Sequence, residues 1–125
     1  MHYVEIVAML VVVQYLFFIY QVGRARGRYG VKAPAVSGHE GFERAYRVQM
    51  NTLELMVALL PALFVAARFW PAEWVAAIGA VYLVGRFIYW RAYISAPASR
   101  GLGFGLSLLP VMALLTMALA GAVLR

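Results

Sequence analysis

Residues 43–54 read ERAYRVQMNTLE, and the chain continues directly into LMVALLPALFVAA at 55–67. The first segment carries two acids, two arginines, a glutamine and an asparagine, which is typical of a solvated surface. The second segment is apolar enough to lie inside a membrane. A helix that joins the two must offer its polar groups something other than lipid to contact.

The composition indicates an integral membrane protein. The chain has 125 residues, enough for one domain, and we expect that domain to cover 1–125. Hydrophobic residues make up 65% of the sequence, charged residues only 13%, and the mean hydropathy is +0.80. A soluble domain has about 25% charged residues. A soluble globular fold is therefore excluded.

Four apolar stretches predict an all-α bundle of four membrane-spanning helices, since about 20 apolar residues cross the bilayer core. They run over 3–22, 52–67, 74–94 and 102–124. The second is short, so we expect its helix to begin near residue 40 and end near 68, with a kink at Pro61. Nothing basic precedes the first stretch and no small-residue cleavage site is evident, so we expect a retained helix rather than a signal peptide.

Two irregular segments are predicted to connect helices at the same membrane face. Residues 23–41, rich in glycine and basic residues, predict an irregular first loop, with Ser37 or Gly38 as the cap of the second helix. The third helix is predicted over 73–95, and APASRGLGFG then breaks the chain before the fourth.

The net charge of +6 comes from ten Arg, one Lys and five Glu. Most cations lie beside helix ends, as the positive-inside rule requires, so a nucleic-acid partner is not indicated. We expect loops one and three to face the cytoplasm, with both termini on the other side. The cations in or beside these loops are Arg24, Arg26, Arg28, Lys32, Arg91 and Arg100.

The sequence predicts neither a metal site nor a protein thiol. His2 and His39 are far apart and have no Cys or Asp companions. Cysteine is absent, so any thiol chemistry must use a sulfur from another molecule.

The polar residues of the second helix share one face. At 100° per residue, the arginines, the asparagine and the last glutamate fall within about 80° of one another, while Gln49 points nearly the opposite way. These four residues are Arg44, Arg47, Asn51 and Glu54.

The third helix carries a matching stripe, which consists of Tyr82, Arg86, Tyr89 and Tyr93. A rise of about 1.5 Å per residue brings the two stripes to the same depth. Isolated charges in lipid are costly, so they face protein or a water-filled cavity. Snorkelling arginines and interfacial tyrosines could account for single members of the stripes. They do not explain Asn51 and Glu54 pointing inward together, so we predict a cytoplasm-facing pocket for a small, mostly anionic ligand.

Both stripes resemble motifs of the MAPEG family, the microsomal glutathione transferases, leukotriene-C synthases and their bacterial relatives. FERAYRVQMNTLE at 42–54 is similar to the family's helix-two motif, and VYLVGRFIYWRAY at 81–93 to its helix-three motif, followed by the family's arginine at Arg100. The resemblance covers nearly the whole chain. It implies a homotrimer with glutathione as co-substrate, bound between neighbouring subunits on the cytosolic side.

The resemblance also implies individual roles. Arg47, Asn51, Glu54, Tyr89 and Tyr93 correspond to glutathione contacts from one subunit. Gln49 and Arg26 correspond to contacts from the next, although Arg24 or Arg28 could take the place of Arg26. Arg100 corresponds to the arginine that stabilises the thiolate, and Tyr93 to a group that helps polarise the thiol or leaving group.

The implied function is transfer of glutathione to a lipophilic electrophile that arrives through the membrane lipid, with reduction of lipid hydroperoxides as a second activity. Leu55 stands where leukotriene-C synthases have a tyrosine, and Gly27 where some eukaryotic members have a second arginine. A leukotriene-specific mechanism is therefore not indicated.

Two other functions fit the length and helix count. A family member could bind or scaffold without catalysis. A proton-coupled small multidrug transporter needs a carboxylate at mid-membrane in its first helix, whereas Glu5 lies at the end of that helix.

Overall fold

The computed structural model describes residues 2–125 and consists of four long α-helices. A short 3₁₀ turn lies between the third helix and the fourth. Each helix contains an apolar window long enough to cross a membrane. No strand occurs within the described residues. The prediction of an all-α, multi-pass membrane bundle is confirmed. The elements are α1 (Tyr3–Tyr29), α2 (Glu40–Ala66), α3 (Ala72–Ser95), the 3₁₀ turn (Pro97–Ser99) and α4 (Gly101–Leu124).

The outer surface of the bundle is suited to hydrocarbon. Large apolar side chains are exposed along the helices, including Val57, Leu109 and Leu119. In water such a surface would be unfavourable, whereas in a bilayer these side chains meet lipid chains of the same polarity.

α1 is longer than predicted, because the first loop begins only after residue 29. Gly23 and Gly27 do not break the helix, since Val22 and Ala25 are buried against Phe42 at the start of α2. The helix ends at Gly30, which has a φ of 69°, in the left-handed region that glycine adopts without strain. Tertiary contact therefore keeps the basic segment helical.

α2 begins at Glu40, but its cap differs from the prediction of Ser37 or Gly38. The cap is His39, whose Nδ1 accepts a hydrogen bond of 2.9 Å from the Gly41 amide. The His39 ring also stacks on Tyr29, with ring centroids 4.1 Å apart. Glu43 accepts a hydrogen bond from the Gly38 amide, so it completes the cap from within the first turn.

α3 and α4 pack closely because glycines line their contact. A Cβ atom placed on Gly85 would lie 2.6 Å from the backbone carbonyl carbon of Leu106. A Cβ atom on Gly103 would lie closer still, 2.3 Å from the backbone nitrogen of Tyr89. Small residues of this kind let membrane helices approach each other. The close approach brings the start of α4 against the polar stripe of α3.

α2 and α3 occupy the centre of the bundle, since each contacts the other and both α1 and α4. Their shared core includes Leu59, Leu63 and Tyr82, together with Leu114 of α4, all fully buried. The polar residues of both helices are consequently placed near this central contact.

Candidate functional site

The deep part of the polar stripes forms a buried cluster around Arg86. This side chain is 0% exposed, and three hydrogen bonds hold its guanidinium. Nε donates to Ser107 Oγ at 2.8 Å, and Nη1 donates to Asn51 Oδ1 at 2.8 Å and to Thr52 Oγ1 at 3.1 Å. We call these four residues the Arg86 cluster.

The hydroxyl groups of the Arg86 cluster are oriented by their own helices. Thr52 donates its hydroxyl proton to the Val48 carbonyl, and Ser107 donates to the Gly103 carbonyl, both at 2.7 Å. Each hydroxyl oxygen is thereby left to accept from Arg86. The guanidinium also lies 4.2 Å from the ring centroid of Tyr89, on whose face a cation is stabilised. Neutral acceptors and an aromatic face therefore hold this charge.

The sequence analysis placed Arg86 on the stripe but assigned it no partner, and it missed Thr52 and Ser107. The only sequence signal for these two acceptors is that each is a hydroxyl residue on a neighbouring helix at the depth of Arg86. Neither residue differs from an ordinary helical Thr or Ser until the helices are packed. Asn51, a predicted ligand contact, is half-buried, and its carbonyl oxygen is used by Arg86. Its amide NH₂ group is left as the part able to meet a ligand.

The shallow part of the stripes opens into a cleft of about 220 Å³. It lies at the end of the bundle that carries residues 30–39 and 96–100, which we call the loop end. The lining combines two acids and two arginines from the start of α2 with a tyrosine from the end of α3 and a proline from the 3₁₀ turn. They are Glu40, Glu43, Arg44, Arg47, Tyr93 and Pro97.

The two arginines of this loop-end cleft differ in their contacts. Arg44 donates from Nη1 to the Ile94 carbonyl at 3.0 Å and forms an ion pair with Glu40. It therefore ties α2 to the end of α3. Arg47 is exposed and has no hydrogen-bonding partner within residues 2–125. Its donors are free to bind a ligand.

Arg100 lies beside the same cleft. It is exposed, donates from Nη1 to the Pro97 carbonyl at 2.9 Å, and its guanidinium carbon is 5.9 Å from the Tyr93 ring centroid. Tyr93 in turn lies 5.5 Å from Tyr89, centroid to centroid. The fold thus brings Arg47, Tyr93 and Arg100 to one place, although the last two are separated from Arg47 by more than a third of the chain.

Three other predicted site residues lie elsewhere in the single chain. Gln49 points away from the polar stripe, as the helical wheel predicted, and donates to the Tyr15 hydroxyl of α1 at 3.3 Å. Arg26 donates to the Ala35 carbonyl at 2.7 Å, and its guanidinium carbon is 4.7 Å from the Phe42 ring centroid. Contrary to the prediction, Glu54 does not point inward together with Asn51 but is exposed on the outer face of α2. None of these residues lines the loop-end cleft.

The sequence model of the MAPEG family matches residues 4–120, nearly the whole chain and both polar stripes. The chain belongs to the MAPEG family. The family resemblance of the two motifs is thereby confirmed.

Curated relatives of this MAPEG protein support the assignment. An uncharacterized protein of Synechocystis is 42% identical over 91% of this chain and 83% of its own length. Human microsomal glutathione S-transferase 2 is 38% identical over 89% of this chain and 75% of its own length. Bovine leukotriene C4 synthase is 35% identical over 75% of this chain and 63% of its own length.

The loop-end cleft of this MAPEG protein is suited to a flexible zwitterion. Arginine forks bind carboxylates with two parallel hydrogen bonds, and glutamates bind an ammonium group. The described residues hold no cluster of His, Cys, Asp or Glu that could bind a metal ion. The arginines at the cleft are suited to binding an anion and to stabilising it electrostatically.

Proposed function

We propose that this MAPEG protein is a membrane glutathione transferase that binds the tripeptide in the loop-end cleft. The observation that carries the proposal is the convergence of Arg47, Tyr93 and Arg100 at the open end of α2 and α3. The names of the human and bovine relatives, a glutathione transferase and a leukotriene C4 synthase, support the same chemistry.

Glutathione complements this cleft. It has two carboxylates and one ammonium group, which suit arginines and a glutamate respectively. In this proposal Arg47 binds a carboxylate in the cleft. Asn51 donates its amide protons and Glu54 accepts from the ammonium, both deeper along the same stripe of α2 and outside the cleft of the single chain. Tyr89 and Tyr93 supply the wall along α3.

Arg100 is proposed to stabilise the sulfur anion. A free thiol has a pKa of about 8.5, so only a small fraction is ionised at neutral pH. A guanidinium beside the sulfur favours the thiolate and lowers that pKa. The thiolate then attacks an electrophilic carbon, a carbon–sulfur bond forms, and the leaving group departs with its electron pair, polarised by the Tyr93 hydroxyl.

The electrophile is proposed to be lipophilic and to enter from the bilayer. Lipid hydroperoxides are a second class of substrate for the same thiolate. Attack on the peroxide oxygen would release an alcohol and leave a sulfenic acid on glutathione, and a second glutathione would reduce it to give the disulfide and water.

A homotrimer is part of this proposal. Gln49 and Arg26 lie away from the loop-end cleft of their own chain, so they can contact glutathione only if a neighbouring subunit presents them. We further propose that the loop end faces the cytoplasm, because its excess of arginine follows the positive-inside rule. Crosslinking in detergent micelles tests the trimer. Labelling of single cysteines, placed in turn at Lys32 and Glu73, tests the orientation.

An ultraviolet difference spectrum tests the proposed activation of glutathione. Glutathione added to the detergent-purified protein at neutral pH is expected to give thiolate absorbance, which Arg100→Ala should abolish. Arg68→Ala, at the opposite end of α2, is the matched control and should leave the signal unchanged. Binding without thiolate absorbance would indicate a non-catalytic family member. Absence of binding would refute the assignment of the cleft.

A further inference from the structure

A second cleft of about 220 Å³ lies between the ends of α1 and α3, also at the loop end. It shares no lining residue with the loop-end cleft, and we call it the α1–α3 cleft. Its polar rim comes from α1, and its floor includes small residues of α2. The residues that matter for its chemistry are Gln21, Arg24, Arg28, Tyr29, Trp90 and Ile94.

The rim of the α1–α3 cleft carries uncompensated positive charge. Arg24 and Arg28 are exposed, one helical turn apart, and like charges at this spacing repel each other. Neither has a hydrogen-bond or ion-pair partner within residues 2–125. The nearby acids are engaged elsewhere, since Glu40 pairs with Arg44 and Glu43 accepts from the Gly38 amide. An anion bound between the two arginines would relieve their repulsion.

An aromatic wall continues from this rim toward the middle of the membrane. Trp90 packs edge-on against Phe17, with ring centroids 5.2 Å apart, and against Phe87 at 6.5 Å. Phe87 is 44% exposed on the outer face of α3. The guanidinium carbon of Arg91 lies 5.8 Å from the Trp90 ring centroid and adds a third cation beside the cleft.

The spacing of rim and wall matches a phospholipid. Arg24 and Phe17 are seven residues apart, about 10 Å along a helix. One headgroup region of a bilayer is about 5–8 Å thick. A phosphate held by the arginines therefore places its acyl chains at the depth of Phe17 and Phe87. A soluble anion would contact the arginines of the rim and would not contact the aromatic wall.

We propose that the α1–α3 cleft binds the phosphate of an anionic phospholipid, with an acyl chain along Phe17 and Phe87. Basic pockets between helices at the cytoplasmic side are a known form of lipid headgroup site. The proposal rests on membrane insertion and on this cleft alone. It assigns Arg24 and Arg28 to the lipid, so it leaves Arg26 as the first-loop arginine for the proposed glutathione contact.

Fluorescence quenching of Trp90 tests the proposal. Trp70→Phe/Trp74→Phe removes the two tryptophans at the opposite end and leaves Trp90 as the only reporter. This variant is placed in phosphatidylcholine nanodiscs that contain one-tenth phosphatidylglycerol. Two preparations are compared, one with brominated acyl chains on phosphatidylglycerol and one with brominated acyl chains on phosphatidylcholine. We expect quenching per brominated lipid to be at least twofold greater for phosphatidylglycerol. Adding Arg24→Gln/Arg28→Gln should remove this preference, whereas Arg68→Gln should not.

Three results would overturn the proposal. Equal quenching by the two lipids would mean that the arginines are only solvated cations. A preference that persists in Arg24→Gln/Arg28→Gln would place the lipid elsewhere. Loss of the preference on adding inorganic phosphate or glutathione, at constant ionic strength, would identify the cleft as a site for a soluble anion. Retention of phosphatidylglycerol by the unmodified protein in native mass spectrometry gives a second readout that needs no tryptophan variant.

Discussion

The Arg86 cluster and the loop-end cleft are built from the same two helix faces, yet their arginines differ in burial and in hydrogen bonding. Arg86 is fully buried and has three side-chain acceptors in its own chain. Within residues 2–125, Arg47 is exposed without a hydrogen-bonding partner, and the guanidinium donors of Arg100 contact only a backbone carbonyl. Depth along a polar stripe therefore separates an arginine that stabilises the fold from one that is available to a ligand.

The physical reason is the cost of a charge in hydrocarbon. A cation near the bilayer centre costs about 3 kcal/mol or more unless it is paired or reaches water. The chain offsets this cost with Asn51, Thr52 and Ser107, which accept from Nε and Nη1 of Arg86, while Nη2 is buried without a hydrogen-bond partner among the described residues. An arginine near the loop end keeps its water and its spare donors. Four predictions test this contrast.

The largest effect is expected at Arg86. Arg86→Ala empties a fully buried site and leaves the Asn51 carbonyl oxygen unpaired, so we expect the free energy of unfolding to fall by about 3–5 kcal/mol. Arg47→Ala, at an exposed position, should change it by less than about 0.5 kcal/mol. Denaturant titration in mixed micelles, followed by circular dichroism, measures both. Equal losses in the two variants would remove the distinction between the cluster and the cleft.

For glutathione binding, in contrast to unfolding, the larger effect is expected at Arg47. A hydrogen bond to a charged group contributes about 1.5–3 kcal/mol, so Arg47→Ala should weaken glutathione binding by about 10- to 100-fold. Arg68→Ala changes an arginine in the turn that follows α2, at the other membrane face, and is expected to bind normally. Calorimetric titration gives both dissociation constants. Unchanged affinity in Arg47→Ala would mean that the loop-end cleft does not bind a carboxylate through this residue.

A smaller effect is expected from one acceptor of the Arg86 cluster. Ser107→Ala removes the partner of Arg86 Nε, and an unsatisfied buried donor costs about 1–2 kcal/mol of stability. Ser95→Ala removes an exposed hydroxyl that bonds only to its own helix and serves as the control. If the control variant lost as much stability as Ser107→Ala, burial of the cluster would not be the cause.

The smallest effect is expected from salt. Raising the salt concentration from about 0.1 to 1 M shortens the Debye length from about 10 to 3 Å, which screens exposed charges far more than buried ones. Glutathione affinity should therefore fall several-fold, while the effect of Arg86→Ala on unfolding should stay constant. Salt titrations of binding and of unfolding, performed on the same preparations, check this. A salt-dependent effect of Arg86→Ala would show that water reaches the cluster.

Much of the fold could be predicted from the sequence, because membrane helices are selected by length and polarity alone. The predicted ends of α3 and the apolar stretch that predicted α4 agree with the structure to within one residue. The break predicted over APASRGLGFG is shorter than expected, because α4 begins at Gly101 within that segment. The main error was at the end of α1, where glycines and arginines indicated a loop. There the contact of Val22 and Ala25 with Phe42, residues distant in sequence, keeps the chain helical to Tyr29.

The candidate site was predictable only in part. Helical periodicity placed Arg47 and Asn51 on one stripe and Tyr89 and Tyr93 on another, since side-chain direction follows from residue spacing. It could not determine which acceptors each arginine uses, because these come from other helices. Thr52 and Ser107 were missed for this reason.

The sequence by itself determined that this chain crosses the membrane four times, which polar residues share a helix face, and which family the chain belongs to. Hydrophobic length, helical period and motif spacing are local properties, so they can be read along one chain. Only the tertiary structure decided that Arg86 is closed within the bundle while Arg47, Tyr93 and Arg100 meet at an open cleft. That choice depends on how α4 approaches α3 at Gly85 and Gly103, because this contact brings the Ser107 hydroxyl to Arg86.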